Sequence, residues 1–73
     1  MAKTMKVLDI QNGAINFCCI KQFDATINPY RLYHREWRDG TWHRKLIVRY
    51  QDFQSVIWYV LSAVIRQNWN WRE

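Results

Sequence analysis

The stretch YRLYHREWRDGTWHRKLIVRY, residues 30–50, contains two runs rich in β-branched and aromatic residues that are joined by Asp39-Gly40. An Asp-Gly pair between two such runs is a strong hairpin signal, because both residues of the tight turn must adopt positive φ. A two-residue turn also fixes how the two strands pair. The predicted opposed pairs are Arg38–Thr41, Trp37–Trp42, Glu36–His43, Arg35–Arg44, His34–Lys45, Tyr33–Leu46, Leu32–Ile47 and Arg31–Val48.

This hairpin has two distinct faces, because opposed residues share a face and successive residues alternate. One face should carry Arg31, Tyr33, Arg35, Trp37, Trp42, Arg44, Leu46, Val48 and Tyr50. The other should carry Tyr30, Leu32, His34, Glu36, His43, Lys45, Ile47 and Arg49. The first face is the more apolar, so we expect the rest of the protein to cover it, with its arginines at the rim. The alternative is an open platform of aromatic rings and guanidinium groups.

The rest of the chain adds a second hairpin and one helix. Asn12-Gly13 predicts another tight turn. Lys6 is expected to share a face with Leu8 and Ile10, and the predicted opposed pairs are Ile10–Ile15, Leu8–Phe17 and Val7–Cys18. Asp52 is expected to cap a helix that begins at Phe53, because apolar residues recur at helical spacing after it.

These elements predict an α+β fold in which two β-hairpins form a four-stranded antiparallel sheet with one C-terminal helix packed on it. A single small domain, residues 1–73, should contain strands at about 4–11, 14–21, 30–38 and 41–50, a helix at about 53–68 and a tail at 69–73. The β-β-β-β-α order resembles that of small single-stranded-DNA-binding coactivator domains. This resemblance, which is one of element order, implies dimerisation through the helices.

The composition favours a second copy of the chain. A chain of 73 residues has a thin core, because so short a chain buries only about 60% of its unfolded surface. Hydrophobic residues nevertheless make up 49% of it, and five are Trp. We expect a homodimer that forms through the helix or through the N-terminal hairpin, whose second face is also apolar (Met5, Val7, Cys18 and Ile20).

Basic residues concentrate in the central hairpin. The formal net charge is +5, and residues 31–49 contribute +4, six Arg or Lys against Glu36 and Asp39. Rings that alternate with cations are typical of single-stranded nucleic-acid binding, in which rings stack on bases and cations neutralise phosphates. We expect a non-enzymatic nucleic-acid-binding protein that favours single strands and binds through Arg31, Tyr33, Arg35, Trp37, Arg38, Trp42, Arg44, Lys45 and Arg49.

Two other interpretations of the hairpin stay open. Trp37 and Trp42 could be a cross-strand pair that stabilises the end of the hairpin, with the arginines as a solvated rim. Alternatively, the hairpin is a protein-interaction module, of the phage or mobile-element inhibitor or adaptor type, that docks on an acidic protein surface.

No metal site, cofactor or catalytic group is expected. His34, Glu36 and His43 share a face, as metal ligands would, but Lys45 opposes His34, and a surface Glu–His pair is the preferred interpretation. Both glycines are used in turns, which leaves no glycine-rich loop for a phosphate.

The cysteines and the apolar runs indicate a cytoplasmic protein with no membrane partner. Cys18 and Cys19 are adjacent in a strand and point to opposite faces, so we expect reduced, buried thiols. The longest apolar run, residues 56–65, is shorter than the about 20 residues that span a bilayer.

Overall fold

The computed structural model describes residues 3–13 and 15–71, except for the side chains of residues 68–71. Its elements are the strands β1 (Thr4–Asn12), β2 (Ile15–Gln22), β3 (Tyr30–Arg38) and β4 (Thr41–Tyr50) and the helix α1 (Phe53–Trp71). The strands form one antiparallel sheet in the order β1-β2-β3-β4. The predicted α+β architecture is confirmed. The helix extends beyond its predicted end at residue 68, and residues 72 and 73 of the predicted tail lie outside the described residues.

The central hairpin, formed by β3 and β4, has the predicted turn. Asp39 and Gly40 adopt φ values of 54° and 80°, which is the conformation that a two-residue turn of this kind requires. The predicted pairing is correct from Arg38–Thr41 to Tyr33–Leu46.

A β-bulge at Ile47 then changes the register. Beyond it Leu32 pairs with Val48 and Arg31 pairs with Arg49, so the predicted pairs Leu32–Ile47 and Arg31–Val48 are wrong. One extra residue in a strand reverses the face of every residue beyond it. The end of β4 therefore changes sides, with Val48 on the face of Leu32 and Arg49 on the face of Arg31.

The N-terminal hairpin turns one residue later than predicted. Asn12 pairs with Ile15, and Gly13, with a φ of 62°, lies in the loop. The observed pairs Ile10–Phe17 and Leu8–Cys19 replace the predicted Ile10–Ile15, Leu8–Phe17 and Val7–Cys18. Each partner has moved by two residues, an even shift that keeps these side chains on their predicted faces.

A second bulge lies in β1, between Lys6 and Leu8. Because of this extra residue, Lys6 pairs with Ile20 and leaves the face of Leu8 and Ile10, where it was predicted. Val7 instead packs against the core.

The helix covers the sheet face that contains Leu32. The core consists of Phe17, Cys19, Leu32, Val56 and Val60. Val48 and Tyr50, which were predicted on the opposite face, pack against it. The expectation that the face of Arg31 is covered is therefore wrong, and the alternative, an open face, is observed. The bulge at Ile47 is the physical reason, since it moves two apolar residues to the covered side and Arg49 to the uncovered side.

Asp52 caps α1, as predicted. Its Oδ1 accepts a 2.9 Å hydrogen bond from the Ser55 backbone N–H and a 2.8 Å hydrogen bond from the Ser55 hydroxyl. The first of these satisfies a backbone donor that has no partner within the helix. Because both bonds favour the carboxylate, they hold the pKa of Asp52 below its usual value. At the same end of the helix, Phe53 packs against Tyr30 with ring centroids 5.8 Å apart.

Candidate functional site

Seven of the nine predicted binding residues share one uncovered surface. We call the sheet surface opposite α1 the open face; its charged and aromatic residues from β3 and β4 are Arg31, Tyr33, Arg35, Trp37, Trp42, Arg44 and Arg49. The other two predicted residues lie elsewhere. Lys45 pairs with His34 on the helix-covered side. Arg38 pairs with Thr41 beside the turn, and its Nη1 lies 3.9 Å from Glu36 Oε1.

Two exposed tryptophans occupy the turn end of the open face. Trp37 and Trp42 are directly opposed, their ring centroids are 5.3 Å apart, and the ring planes make an angle of 75°. This edge-to-face contact is a favourable geometry for an aromatic pair, so the rings do stabilise the hairpin end. They are nevertheless 60% and 55% exposed. The pair therefore leaves ring surface free for a ligand, and the structural and binding interpretations do not exclude each other.

The middle of the open face combines a tyrosine ring with a cation. The guanidinium carbon of Arg44 lies 4.7 Å from the centroid of the Tyr33 ring. A cation over a ring face is attracted by the ring's quadrupole, which favours this position of the Arg44 side chain. In the part of the chain that the structure describes, no carboxylate lies within 4.0 Å of Arg44. Its charge is thus oriented and available to an anion.

Arg35 is engaged within the protein. Its Nε donates a 2.8 Å hydrogen bond to Asn16 Oδ1, and its Nη2 forms an ion pair with Asp9 Oδ1. The same nitrogen lies 3.4 Å from the Ile10 carbonyl oxygen and 3.5 Å from that of Phe17. Arg35 therefore fastens β1 and β2 to β3, and its predicted contact with a phosphate stays a prediction.

Asp9 receives two cations, because Lys6 Nζ also lies 3.1 Å from its Oδ2. Hydrogen bonds from Arg35 and, second, from Lys6 favour the carboxylate and hold the pKa of Asp9 below its usual 3.8. A pKa that is lower in the folded than in the unfolded state contributes stability above pH 3.8, and this contribution is lost as the pH falls through the folded-state value.

Replacing Asp9 by asparagine should accordingly make the free energy of unfolding less dependent on pH under acidic conditions. We expect the free energy of unfolding of the wild type to fall more steeply below about pH 4 than that of Asp9→Asn. Urea denaturation at a series of pH values measures both curves. Asp52→Asn serves as a comparison, because Asp52 is a second carboxylate whose pKa is lowered, by its hydrogen bonds at the start of α1. Parallel curves for Asp9→Asn and the wild type would show that the ion pair does not contribute to stability.

The open face carries a concentrated positive charge. Among the described residues, the register places six charged residues on it, Lys6, Asp9, Arg31, Arg35, Arg44 and Arg49; these five cations and one carboxylate give a net charge of +4. The whole chain has a formal charge of +5. Because Asp9 lies in β1, beside Lys6 and Arg35, the part of the surface formed by β4 has no neutralising group among the described residues.

The histidine and cysteine side chains contact other residues of the protein or are buried. His34 packs against Phe17 with ring centroids 5.2 Å apart, and His43 Nε2 lies 3.0 Å from Thr41 Oγ1. Within residues 3–13 and 15–67, no group of three His, Cys, Asp or Glu side chains is arranged to hold a metal ion.

Cys18 and Cys19 are free and buried. Burial, and to a smaller extent the neighbouring Cys18, raises the pKa of Cys19 to about 11. At neutral pH Cys19 is therefore a thiol rather than a nucleophilic thiolate.

Comparison of the chain with protein-family models, with curated proteins and with solved structures gives no match. Over residues 3–13 and 15–71, no helix has both the length and the hydrophobicity that spanning a membrane requires. The function is consequently inferred from the residues of the open face themselves.

Proposed function

We propose that this chain is a small non-enzymatic nucleic-acid-binding protein that holds a single strand across its open face. One observation carries the proposal: two exposed tryptophans and three arginines without a carboxylate partner among the described residues lie on one side of a sheet whose other side is covered. Single-stranded nucleic acid is bound by this combination, in which aromatic rings stack on bases and a positive surface follows the backbone.

Each group on the open face has a distinct role in this proposal. Trp37 and Trp42 stack on bases at the turn end, where each stacked base is worth about 1–3 kcal/mol. Arg44, Arg31 and Arg49 neutralise phosphates along the strand. Tyr33 keeps the Arg44 guanidinium in place, 4.7 Å from its own ring, so less side-chain entropy is lost when a phosphate binds.

The shape of the surface favours a single strand over a duplex. The molecule is flat, with principal extents of 46 × 31 × 15 Å, and the tryptophans lie on one of its broad sides. A flat side can accept bases that are free to leave the stack, whereas the bases of a duplex are stacked on each other and paired. Four-stranded sheets that present aromatic residues on one face use the same physical principle to bind single-stranded RNA.

Matched charge variants test which face binds. Arg44 and Lys45 are adjacent exposed cations that point to opposite sides of β4. We expect Arg44→Gln to weaken binding of a single-stranded oligonucleotide about three- to tenfold and to reduce its salt dependence by about 0.7 in the slope of log K against log salt. Lys45→Gln should change affinity less than about twofold at physiological ionic strength, because it removes the same charge from the covered side. Equal losses in the two variants would contradict binding by the open face.

The second candidate is a protein-interaction module, of the phage or mobile-element inhibitor or adaptor type, that docks on an acidic protein surface. The composition of the open face supports it too, because Trp, Tyr and Arg are the residues most enriched at the energetic centres of protein interfaces. Stacking separates the two candidates. A base quenches the fluorescence of Trp37 and Trp42 in proportion to oligonucleotide bound, and a salt-sensitive protein complex that forms without any oligonucleotide binding would favour this second candidate.

We further propose a homodimer that forms through α1. Trp58, Leu61 and Ile65 are exposed on one side of the helix, and residues 53–65 contain no charged side chain. Such a neutral apolar surface can pair with its own copy, whereas the +4 open face repels one. The N-terminal hairpin is the weaker site, because Cys18 is buried and Val7 packs against the core. Sedimentation equilibrium that gives the 9.0 kDa monomer mass would contradict the dimer.

The cellular location follows as part of the same proposal. Two free, buried thiols are typical of proteins in a reducing compartment, which supports a cytoplasmic protein. The binding activity proposed for the open face requires no cofactor, since side chains of this chain supply both the charge and the stacking surface.

A further inference from the structure

Arg31 and Arg49 lie next to each other at the end of the open face that is far from the tryptophans, and neither has a carboxylate partner among the described residues. Arg31 and Arg49 are directly opposed in the β3–β4 register, and Ile20 is the neighbour of Arg31 on β2. Carboxylates of the described residues come within 4.0 Å of Lys6, Arg35 and Arg38 but of neither member of this pair. The Nε atom of Arg31 is buried and has no hydrogen-bond partner in the described part of the chain.

A bound anion would stabilise this pair of arginines. Like charges directly opposite each other across two strands are destabilising, and a buried N–H without an acceptor costs further free energy. The contrast with Arg35 is informative, because that guanidinium has Asp9 and Asn16 as partners. A ligand with oxygen acceptors between the two guanidinium groups would remove this repulsion, since the outer nitrogens of both groups can donate to it.

We infer that Arg31 and Arg49 form a clamp for the terminal phosphate of a bound strand, an inference that rests on the proposed function. A terminal phosphate monoester carries about −1.5 to −2 charges at neutral pH and three acceptor oxygens, more than an internal phosphodiester offers. Two guanidinium forks can each donate two hydrogen bonds to such a group. The clamp is also at the end of its surface, since Arg31 is the second residue of β3.

The distance to the tryptophans sets the length of strand that reaches both ends. Arg31 and Trp37 are six residues apart on β3, which corresponds to about 20 Å at the rise of an extended strand. A stacked single strand advances about 3.4 Å per nucleotide, so roughly six nucleotides connect the clamp to the Trp37–Trp42 pair. A strand of this length or longer can place its end on the arginines and its bases on the tryptophans together.

Competition against an internally labelled oligonucleotide tests the clamp. The competitors are oligothymidine decamers with a 5′-phosphate, with a 3′-phosphate or with two hydroxyl ends, and a hydroxyl-ended dodecamer whose extra diesters supply the same total charge as the terminal phosphate. We expect one of the two phosphorylated decamers to bind about three- to fivefold more tightly than the hydroxyl-ended decamer and dodecamer, the upper part of the range expected for one further solvent-accessible charge pair.

Two variants attribute the preference to the clamp. Arg49→Gln, at an exposed position, should reduce the preference for the phosphorylated decamer to less than about twofold. Arg66→Gln removes the same charge from α1, on the other side of the sheet, and should retain the preference. The inference is overturned if neither phosphorylated decamer exceeds the dodecamer or if Arg49→Gln keeps the preference. Binding of the hydroxyl-ended decamer with no preference would overturn the clamp alone, whereas the failure of every oligonucleotide to bind would overturn the proposed function as well.

Discussion

Replacing both Trp37 and Trp42 by alanine is expected to weaken binding of a single-stranded oligonucleotide at least about thirtyfold. Each base that stacks on an aromatic side chain contributes about 1–3 kcal/mol, so two lost stacking partners remove at least about 2 kcal/mol. Each single variant should lose at least about fivefold. Fluorescence anisotropy of a labelled oligonucleotide, measured at one fixed salt concentration, gives these ratios directly.

The control is Trp58→Ala. Trp58 is 62% exposed on α1, against 60% and 55% for Trp37 and Trp42, but it lies on the other layer of the molecule. The same substitution at similar exposure should leave the affinity of each protomer within about twofold of wild type, because Trp58 lies on the side of the sheet away from the open face. The contact between Trp37 and Trp42 also stabilises the hairpin by about 0.5–1.5 kcal/mol. Circular dichroism must therefore first show that the double variant is folded. A folded double variant with wild-type affinity would contradict stacking at the tip.

Replacing Leu32 by alanine is expected to cost about 2–5 kcal/mol of unfolding free energy. Leu32 is 0% exposed and packs with Cys19 and Val56, which are also fully buried, so truncation leaves a cavity that the surrounding core fills only in part. Proteins of this length have a total stability of roughly 4–11 kcal/mol. The variant should therefore be near the limit of folding, with a large fall in its urea midpoint.

Leu46→Ala provides the matched control for this substitution. Leu46 follows Lys45 on the edge strand β4 and is 40% exposed. The same change of side chain there should cost clearly less than it does at Leu32, because Leu46 is already 40% exposed and has less buried apolar surface to lose. If Leu46→Ala destabilises the protein as much as Leu32→Ala does, the helix does not cover the face that contains Leu32.

The central hairpin was predictable because its decisive signal is local. Asp39-Gly40 allows positive φ at both turn positions, and the turn length fixes the register of the adjacent residues. The bulge at Ile47 has no such signal, because residues 45–49 contain no glycine, asparagine or aspartate that would mark an irregular backbone position. The sequence left open which face of the hairpin is covered. The extra residue, Ile47, bears directly on this, because it exchanges Val48 and Arg49 between the two faces.

The ion pair between Arg35 and Asp9 could not be predicted from local sequence either. Its partner Asp9 is 26 residues away in the chain, and the contact exists only because β2 brings β1 next to β3. Neither residue type nor spacing indicates this pair in advance. The Trp37–Trp42 pair and the place of Arg44 beside them could be predicted, because all three lie within six residues of the central turn and follow its register.

The helix was predictable at its start and not at its end. Asp52 followed by apolar residues at helical spacing gave both the cap and the first residue, Phe53. No glycine or proline follows residue 53, so nothing in the sequence stops the helix at residue 68, and its hydrogen-bonded turns continue to Trp71.

The most direct test of single-strand binding by the open face is a titration of the purified wild-type protein. A labelled single-stranded oligonucleotide and its matched duplex would each be titrated at two salt concentrations, with tryptophan quenching recorded alongside anisotropy. We expect dissociation constants in the micromolar range or below for the single strand, weaker binding to the duplex, loss of affinity as salt rises, and quenching that follows saturation. No binding of the single strand at low salt, for a chain with a charge of +5, would contradict the proposed function. Stronger binding to the duplex would contradict the stacking mechanism.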